Sequence, residues 1–389
     1  MGELEQKIKA YAKEMGFDVV GITTADPFVR DESASISRVR QGLMSGLPWY
    51  TEERVHLATH PKKLLQNAKS VISFAISYNT AKPKNIKNIP TGKIARYAWG
   101  EDYHLVLKDK LRNFVKGLSK YVHTEFQARI FVDDGPMNDR AAAERSGVGW
   151  FGKNTNILTI SHGSWVLLAQ VITDLELEPD TALAKTCGNC VRCIDDCPTG
   201  AIIAPYVIDN NRCISFLTIE LRGSIPRKLR SLIGDWIFGC DICQDVCPVN
   251  RKAGISLEPS FRQRHDFGAP ALIPLLHLDD ESFRKRFKNS PIKRAKRVGL
   301  QRNVCVALGN IGDPTALPAL MEALHNDNPI IREHAAWAIG KIRKEETIEV
   351  LKQALVTESD PTVLNEIQLT ITEFKTNKSN AHASSNLPS

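Results

Sequence analysis

The spacing of eight cysteines between residues 187 and 247 constrains this chain more than any other feature of its sequence. Four of them form a run with gaps of two, two and three residues that ends in Cys-Pro. A lone cysteine follows, and the last three form a shorter run that also ends in Cys-Pro. The eight are Cys187, Cys190, Cys193, Cys197, Cys213, Cys240, Cys243 and Cys247. Runs of this kind hold iron–sulfur clusters in bacterial ferredoxins, so the spacing predicts a module with two 4Fe-4S clusters.

The order of the thiols along the chain predicts how they divide between the two clusters. In a ferredoxin run the fourth cysteine ligates the other cluster. We therefore expect one cluster on Cys187, Cys190, Cys193 and Cys247, and the other on Cys197, Cys213, Cys240 and Cys243. Zinc ribbons and disulfides are the alternatives. Zinc suits Cys-x-x-Cys pairs but does not require the long run or the Cys-Pro endings.

Length and composition predict a folded protein of two or three domains in a reducing compartment. The chain has 389 residues, against domains of about 100–200 residues each. It contains no apolar run long enough for a membrane span, and its charged N-terminus is typical of a helix and not of a signal peptide. Cysteines in cluster spacing fit a reducing environment, which favours the cytoplasm. The net charge of +7 is compatible with a polyanionic partner.

Hydrophobic periodicity predicts an α+β multidomain protein whose first 175 residues form an α/β domain. Helices are expected at about 3–15, 34–44, 101–122 and 138–146, strands at about 17–23, 69–78, 128–134 and 165–173, and a loop at 80–93. Because helices alternate with strands, we expect one domain over residues 1–175. Residues 176–260 form the ferredoxin-like cluster module.

A repeat in the last hundred residues predicts an α-solenoid of HEAT type over residues 275–375. Ala307-Leu308-Gly309 recurs 31 residues later as Ala338-Ile339-Gly340, and helix pairs at such a period stack into solenoids. Cys305 falls on the apolar face of the first repeat, which predicts a core thiol and not a ligand. The polar segment 376–389 is expected to be disordered.

Positive charge is concentrated in residues 284–297, which contain eight Lys or Arg and no acidic residue. Such a run is either a solvated helix face or a surface that contacts a phosphate backbone. The run lies between the cluster module and the repeats. If it contacts RNA, binding must weaken as the salt concentration rises.

Five stretches together resemble the epoxyqueuosine reductase family, and the resemblance covers nearly the whole chain. They are residues 95–104, residues 134–136 followed by Arg140 and Glu144-Arg145, Gly-Val-Gly-Trp-Phe-Gly-Lys-Asn-Thr at 147–155, residues 213–220 and residues 239–250. The resemblance implies a cobalamin cofactor beside the two clusters. It also implies reduction of epoxyqueuosine at the wobble position of tRNA, the last step of queuosine synthesis, and a core similar to that of the reductive dehalogenases.

The same resemblance implies that Asp134 is the proton donor. Reductive loss of the epoxide oxygen as water requires protons delivered to that oxygen, and a carboxyl in an enclosed site can supply them. Neighbouring Asp133 is expected to favour the protonated form of Asp134 by like-charge repulsion. The alternative is that both aspartates cap the helix that begins near 138. The family pattern has Glu where this chain has Asp139, which leaves the role of that position open.

Cobalamin contacts are implied at polar positions within the family motifs. These are Tyr97, Asp134, Lys153, Asn154, Thr155 and Ser215. Gly147, Gly149 and Gly152 would let the backbone approach a planar ring, or they simply form a turn. Asp102, Tyr103 and His104 are candidates for the pocket of the modified base, with a hydrogen-bonded helix residue as the alternative for His104.

The expected partners are a tRNA anticodon stem-loop that bears epoxyqueuosine and an external electron donor of flavodoxin or ferredoxin type, with no membrane and a monomeric chain. The basic run and the solenoid would bind the stem-loop by its phosphates, with the modified base flipped into the pocket. Two alternatives remain from the sequence. One is a corrinoid reductive dehalogenase of small organohalides, and the other is a HEAT adaptor with purely structural clusters.

Overall fold

The computed structural model describes residues 2–81, 89–122, 124–264, 266–342 and 346–384. In the N-terminal part, the helices are α1 (Glu3–Glu14), α2 (Val29–Arg40), α3 (Glu52–Ala58), α4 (Pro61–Leu64), α5 (Tyr103–Leu118) and α6 (Asp139–Arg145). The strands there are β1 (Val19–Thr24), β2 (Ser70–Ser77), β3 (Lys93–Ile94), β4 (Ala128–Phe131), β5 (Trp150–Phe151), β6 (Ile157–Leu158) and β7 (Val166–Thr173). Much of the predicted loop at 80–93 lies outside the described residues.

A four-stranded sheet with the order β1-β2-β7-β4 forms the centre of the N-terminal part. All of its neighbouring strands are antiparallel. The mixed helix and strand composition is confirmed, but the alternation of helices and strands does not produce the parallel sheet of an α/β domain.

The central strand β2 is buried on both faces, and its alternating side chains contact different helices. Ile72 and Phe74 share one core with α1 and α5, whereas Val71 packs on the other face with α6. Successive side chains of a strand point to opposite faces, so a fully buried strand reads as a continuous apolar run. This explains why residues 69–78 show no polar alternation.

The cluster module contains short elements between the cysteines. They are α7 (Arg192–Asp195), α8 (Ile214–Ile219), α9 (Arg227–Ile233), α10 (Ile242–Asp245), β8 (Ile202–Ala204), β9 (Val207–Ile208) and β10 (Trp236–Phe238). Strand β10 pairs with β3 of the N-terminal part. The module is therefore joined to the first part of the chain by backbone hydrogen bonds.

The C-terminal part is entirely helical. Its helices are α11 (Ile273–Leu276), α12 (Asp280–Arg286), α13 (Lys296–Ile311), α14 (Leu317–Ala323), α15 (Pro329–Ile342), α16 (Glu346–Thr357) and α17 (Pro361–Ser384). A Cβ at Gly309 would lie 2.8 Å from the Cα of Ala338, and one at Gly340 would lie 2.1 Å from the Thr370 side chain. The repeated glycine therefore marks where each long helix contacts the next one closely.

One hydrophobic core continues from the cluster module into these helices. It includes Phe216 and Ile237 of the module, Leu308 of α13 and Trp337 of α15, and Cys305 is fully buried within it, as predicted. Polar contacts reinforce the junction. Arg302 Nη2 donates to the carbonyl of Leu217 at 2.6 Å. Asn303 Nδ2 donates to the carbonyls of Thr218 and Ile237, each at 2.8 Å.

The end of the chain differs from the prediction. Helix α17 continues to Ser384, so residues 376–384, predicted to be disordered, extend the last packed helix, and residues 385–389 lie outside the described residues. A helix already nucleated by packing adds further residues at little cost, which polar composition alone does not reveal. Among the described residues, no helix combines the length and the apolar character needed to cross a bilayer.

Candidate active site and cluster centres

The first predicted set of thiols is brought together at the surface end of the module. Burial, and then the neighbouring thiols of Cys187, Cys247 and Cys190, raise the pKa of Cys193 to about 11. Burial also raises the pKa of Cys247, again with contributions from Cys187 and Cys190. These four side chains therefore lie within electrostatic reach of one another, as a shared cluster requires.

The second predicted set lies deeper. Burial is the main cause that raises the pKa values of Cys213, Cys240 and Cys243. Cys213 also responds to the charge of Cys197, and Cys240 to those of Cys243 and Cys213. Cys243 responds in addition to Cys193 of the first set, so the two sets adjoin.

The donor set fits iron–sulfur clusters. The nine cysteines are all free, and the eight in cluster spacing are each half-buried. The Ala201 N–H points at Cys197 Sγ from 3.3 Å, and backbone N–H groups also face Cys213, Cys240 and Cys247. Such donors stabilise cluster-bound thiolates. The spacing and these donors fit clusters better than zinc.

The aspartate pair after β4 separates into two different environments. Asp133 has a left-handed backbone with φ of 52°, and its Oδ2 accepts a hydrogen bond of 2.6 Å from the Tyr103 hydroxyl. Asp134 instead forms an ion pair with Lys108 of α5. Strained backbone at a polar residue is frequent at functional sites. The predicted proton donor, Asp134, thus points towards a lysine, and its neighbour faces the tyrosines.

Two tyrosines, Tyr97 and Tyr103, lie beside Asp133. The rings of Tyr97 and Tyr103 lie 5.9 Å apart at 78°. Burial and then the charge of Asp133 raise both of their pKa values well above the usual range. Glu220 and Asp241 also act on Tyr97, which places this group of side chains between the N-terminal part and the cluster module.

Asp139 at the start of α6 is a third carboxyl close to Asp133. Burial and then the charge of Asp133 raise its pKa well above the usual value, against the opposing charge of Arg140. Arg140 also acts on Cys213. The aspartates therefore lie close to the deeper thiol set.

The polar residues predicted to contact cobalamin lie around the cluster loops. Lys153 Nζ donates to the Gly188 carbonyl at 2.7 Å, and Asn154 Nδ2 donates to the Cys243 carbonyl at 3.2 Å. In the part of the chain that the structure describes, the hydroxyls of Thr155 and Ser215 make no hydrogen bond. Two unused hydroxyls near cluster thiols fit a ligand rich in amides, such as a corrin.

The glycines near this loop are explained by the chain itself. A Cβ at Gly147 would lie 2.5 Å from the Thr181 carbonyl oxygen, and one at Gly149 would lie 2.5 Å from that of Leu158. At Gly152 it would lie 2.6 Å from the Asn154 side chain. The turn interpretation therefore accounts for these glycines without an approaching cofactor.

The basic run contacts the chain at the start of α5. Asp102 caps α5, and its Oδ1 contacts His104 Nδ1 at 2.8 Å, which favours the hydrogen-bonded interpretation of His104. The Asp102 N–H donates to the Asn289 carbonyl at 2.8 Å. Arg294 pairs with Glu220 and responds to the charges of Asp133 and Tyr103. The run is thus anchored beside the candidate catalytic residues.

Three family models match successive parts of the chain. "Epoxyqueuosine reductase QueG, DUF1730" matches residues 59–134, "4Fe-4S double cluster binding domain" matches 186–250 and "HEAT repeats" matches 293–371. The epoxyqueuosine reductase of Bacillus subtilis (strain 168) is 37% identical over 370 residues, which cover 94% of this chain and 95% of that protein. The chain belongs to the epoxyqueuosine reductase family. The epoxyqueuosine reductase of Escherichia coli (strain K12) is 38% identical over 345 residues, with coverages of 88% and 90%.

Solved epoxyqueuosine reductases share this fold along their whole length. A selenomethionine-labelled crystal structure matches with a TM-score of 0.90 and 37% identity, and the match covers 95% of this chain and 98% of that one. A structure with a tRNA-Tyr epoxyqueuosine-modified stem loop also gives 0.90 at 37%, with coverages of 96% and 99%. A Bacillus subtilis structure whose catalytic loop is swung out of the active site gives 0.89 at 37%, with coverages of 95% and 98%. The predicted family, fold class, two-cluster module and HEAT repeats are confirmed.

Sequence reasoning missed three charged residues that shape the site. Lys108 pairs with Asp134, and Arg294 pairs with Glu220 near Asp133. Lys108 lies five residues after Tyr103 in α5, about 140° around the helix, so the sequence spacing does not signal that both contact the aspartate pair. The Arg294 contact crosses 74 residues of sequence, and nothing local signals it.

Proposed function

We propose that this chain reduces epoxyqueuosine to queuosine at the wobble position of tRNA. Both carbon–oxygen bonds of the epoxide break, a carbon–carbon double bond forms and the oxygen leaves as water. The balance requires two electrons and two protons. The observation that carries the proposal is the position of Asp133 and its tyrosines between the deeper thiol set and the basic run.

We propose that electrons pass from the cluster on the more exposed thiol set to the cluster on the more deeply buried set. Cys187, Cys190, Cys193 and Cys247 would hold the outer cluster, which an external donor of flavodoxin or ferredoxin type reduces. Cys197, Cys213, Cys240 and Cys243 would hold the inner cluster on the side of Asp133 and its tyrosines. Tyr97, Lys153, Asn154, Thr155 and Ser215 would hold cobalamin. When bound, cobalamin supplies cobalt-centred redox chemistry that an amino acid side chain cannot provide.

The geometry favours Asp133 over Asp134 as the group that protonates the departing oxygen. Asp133 faces Tyr97 and Tyr103, and the Tyr103 hydroxyl fixes the orientation of its carboxyl. The Asp134 side chain is engaged by Lys108 and must leave that ion pair before it can reach a substrate. Asp134 remains the candidate from the family resemblance, and paired variants separate the two.

Substrate binding is proposed to use the basic run 284–297 and the HEAT helices. Six of its cations are exposed, namely Arg284, Lys285, Lys288, Lys293, Arg294 and Lys296. Phe287 and Ile292 are buried and hold the run against the body of the protein. A rigid row of cations suits the phosphates of an anticodon stem-loop. The monomeric state and the cytoplasmic location of the protein stay predictions.

The test is conversion of stem-loop RNA that contains epoxyqueuosine by protein reconstituted with clusters and cobalamin under a reductant. Mass spectrometry of the nucleosides should show loss of one oxygen atom. Because a general acid contributes about 10²–10⁴-fold, Asp133→Asn should lower kcat by at least about 10²-fold. Asp134→Asn is the matched control and should change kcat by less than about tenfold. The opposite order would assign the donor to Asp134, and no conversion by the wild type would overturn the proposed function.

A further inference from the structure

A row of polar side chains lies under α6, inside the sheet core. Ser73 of β2 is directly opposite Gln170 of β7, and Gly21 of β1 is opposite Ser73. Directly opposite residues share one face of a sheet. A Cβ at Gly21 would lie 2.1 Å from the Ser146 carbonyl oxygen at the end of α6. The helix therefore lies closely over this row, with Asp139 at its first position.

Three oxygen atoms in this row are buried without a hydrogen-bond partner. They are Ser73 Oγ, Gln170 Oε1 and Asp139 Oδ1. Gln170 Nε2 donates to the Asp139 backbone carbonyl at 3.2 Å, so its amide lies beside the Asp139 residue. A buried acceptor without a donor costs about 1–3 kcal/mol. An added hydrogen on Asp139, donated directly or through a water, would satisfy the glutamine oxygen.

The charges around Asp139 also favour its neutral form. The sheet presents Ser73 and Gln170, which carry no charge. The loop before α6 presents Asp133 and Asp134, which repel an ionised carboxylate, whereas Arg140 and a backbone N–H act in the opposite direction. Burial acts in the same direction as the two aspartates.

We propose that Asp139 is a neutral carboxylic acid that stores the second proton of the reaction beneath the catalytic loop. This inference rests on the proposed function, which consumes two protons for each oxygen removed. Asp133 gives the first proton to the departing oxygen and becomes a carboxylate. Asp139 then gives its proton to Asp133, which passes it to the same oxygen and completes the water, and solvent restores one proton to each of the two carboxylates after turnover. Asp139 acts through Asp133 and does not touch the substrate.

The first test needs no substrate. Infrared difference spectra of holoprotein at neutral pH should show the C=O stretch of a neutral carboxylic acid that shifts in D2O. The Asp139 component of this band should be absent from Asp139→Asn, present in Asp139→Glu, and lost from the wild type as pH rises. A wild-type spectrum that lacks this band would overturn the proposal, and this measurement does not depend on whether the Asn variant folds.

The second test is the pH dependence of turnover. Wild-type kcat should fall at high pH as Asp139 ionises, which gives the pH profile a high-pH limb. Asp139→Asn should show about a tenfold lower kcat at neutral pH, and its profile should lack that limb. Asp139→Glu should restore the limb. Ser73→Ala is the matched control, because it alters the same packing but keeps the acid. If Asp139→Asn keeps the wild-type pH profile, Asp139 does not store the second proton. Failure of the wild type to convert epoxyqueuosine would instead refute the proposed function and leave the infrared result standing.

Discussion

Replacing Arg230 should test how the HEAT helices are attached to the cluster module. The Arg230 side chain of α9 is only 2% exposed and forms ion pairs with Glu333 of α15 and Glu366 of α17. Arg227 also pairs with Glu366, at 2.9 Å. Arg230→Met therefore leaves Glu366 with a cation but leaves Glu333 buried without one. Removing one partner of a buried pair costs about 3–5 kcal/mol.

The assay is urea unfolding of the holoprotein, followed by tryptophan fluorescence. Trp337 is buried, and its ring lies 5.9 Å from Arg230 Cζ, so its emission reports on this junction. With a slope of about 3 kcal/mol per molar urea, the loss corresponds to a midpoint about 1–1.7 M lower.

The double variant Arg230→Met/Glu333→Gln supplies the control, because it removes the charge that the single variant strands. It should recover at least about 2 kcal/mol of the loss, which a double-mutant cycle with Glu333→Gln measures. A single variant with an unchanged midpoint, or a double variant no more stable than the single one, would refute the reasoning.

Three further perturbations have outcomes set by single contacts. Burial holds the pKa of His334 well below its usual value. The contribution of the neutral His334 to stability is therefore complete above about pH 6.5 and is lost as pH falls. His334→Gln should reduce the fall of the urea midpoint with decreasing pH. Gly309→Ala places a methyl 2.8 Å from the Ala338 Cα and should cost about 1–3 kcal/mol, whereas Gly254→Ala, which has no neighbour within 4 Å, should change the midpoint little. Changing Lys285 and Lys288 to Gln should reduce the salt slope of stem-loop binding by about two, and an unchanged slope would exclude both from phosphate contact.

The cluster ligands and the repeats could be read from the sequence because their chemistry is tied to spacing. Iron–sulfur coordination favours thiols at short intervals, and the division of the ligands predicted from Cys197 and Cys213 stays a prediction, supported by the charge of Cys197 acting on Cys213. Gly309 and Gly340 recur because each lies at a close helix contact. In both cases the periodic pattern is itself the cause of the structure.

The aspartate environments and the strand directions could not be read in this way. Asp133 and Asp134 are adjacent and chemically identical in sequence, and only the left-handed turn at Asp133 sends their side chains to different partners. The antiparallel sheet depends on long connections that carry no local signal. The neutral state expected for Asp139 likewise depends on residues from β2 and β7, far along the chain.

The contacts of Arg302 and Asn303 have a consequence for the order of events during synthesis. They hold the carbonyls of Leu217, Thr218 and Ile237, which flank Cys213 and Cys240. A ribosome releases those cysteines dozens of residues before it makes the two side chains that fix their loops. We therefore expect the inner iron centre to be installed only after translation has passed α13, and a nascent chain stalled earlier to take up iron at its outer site first.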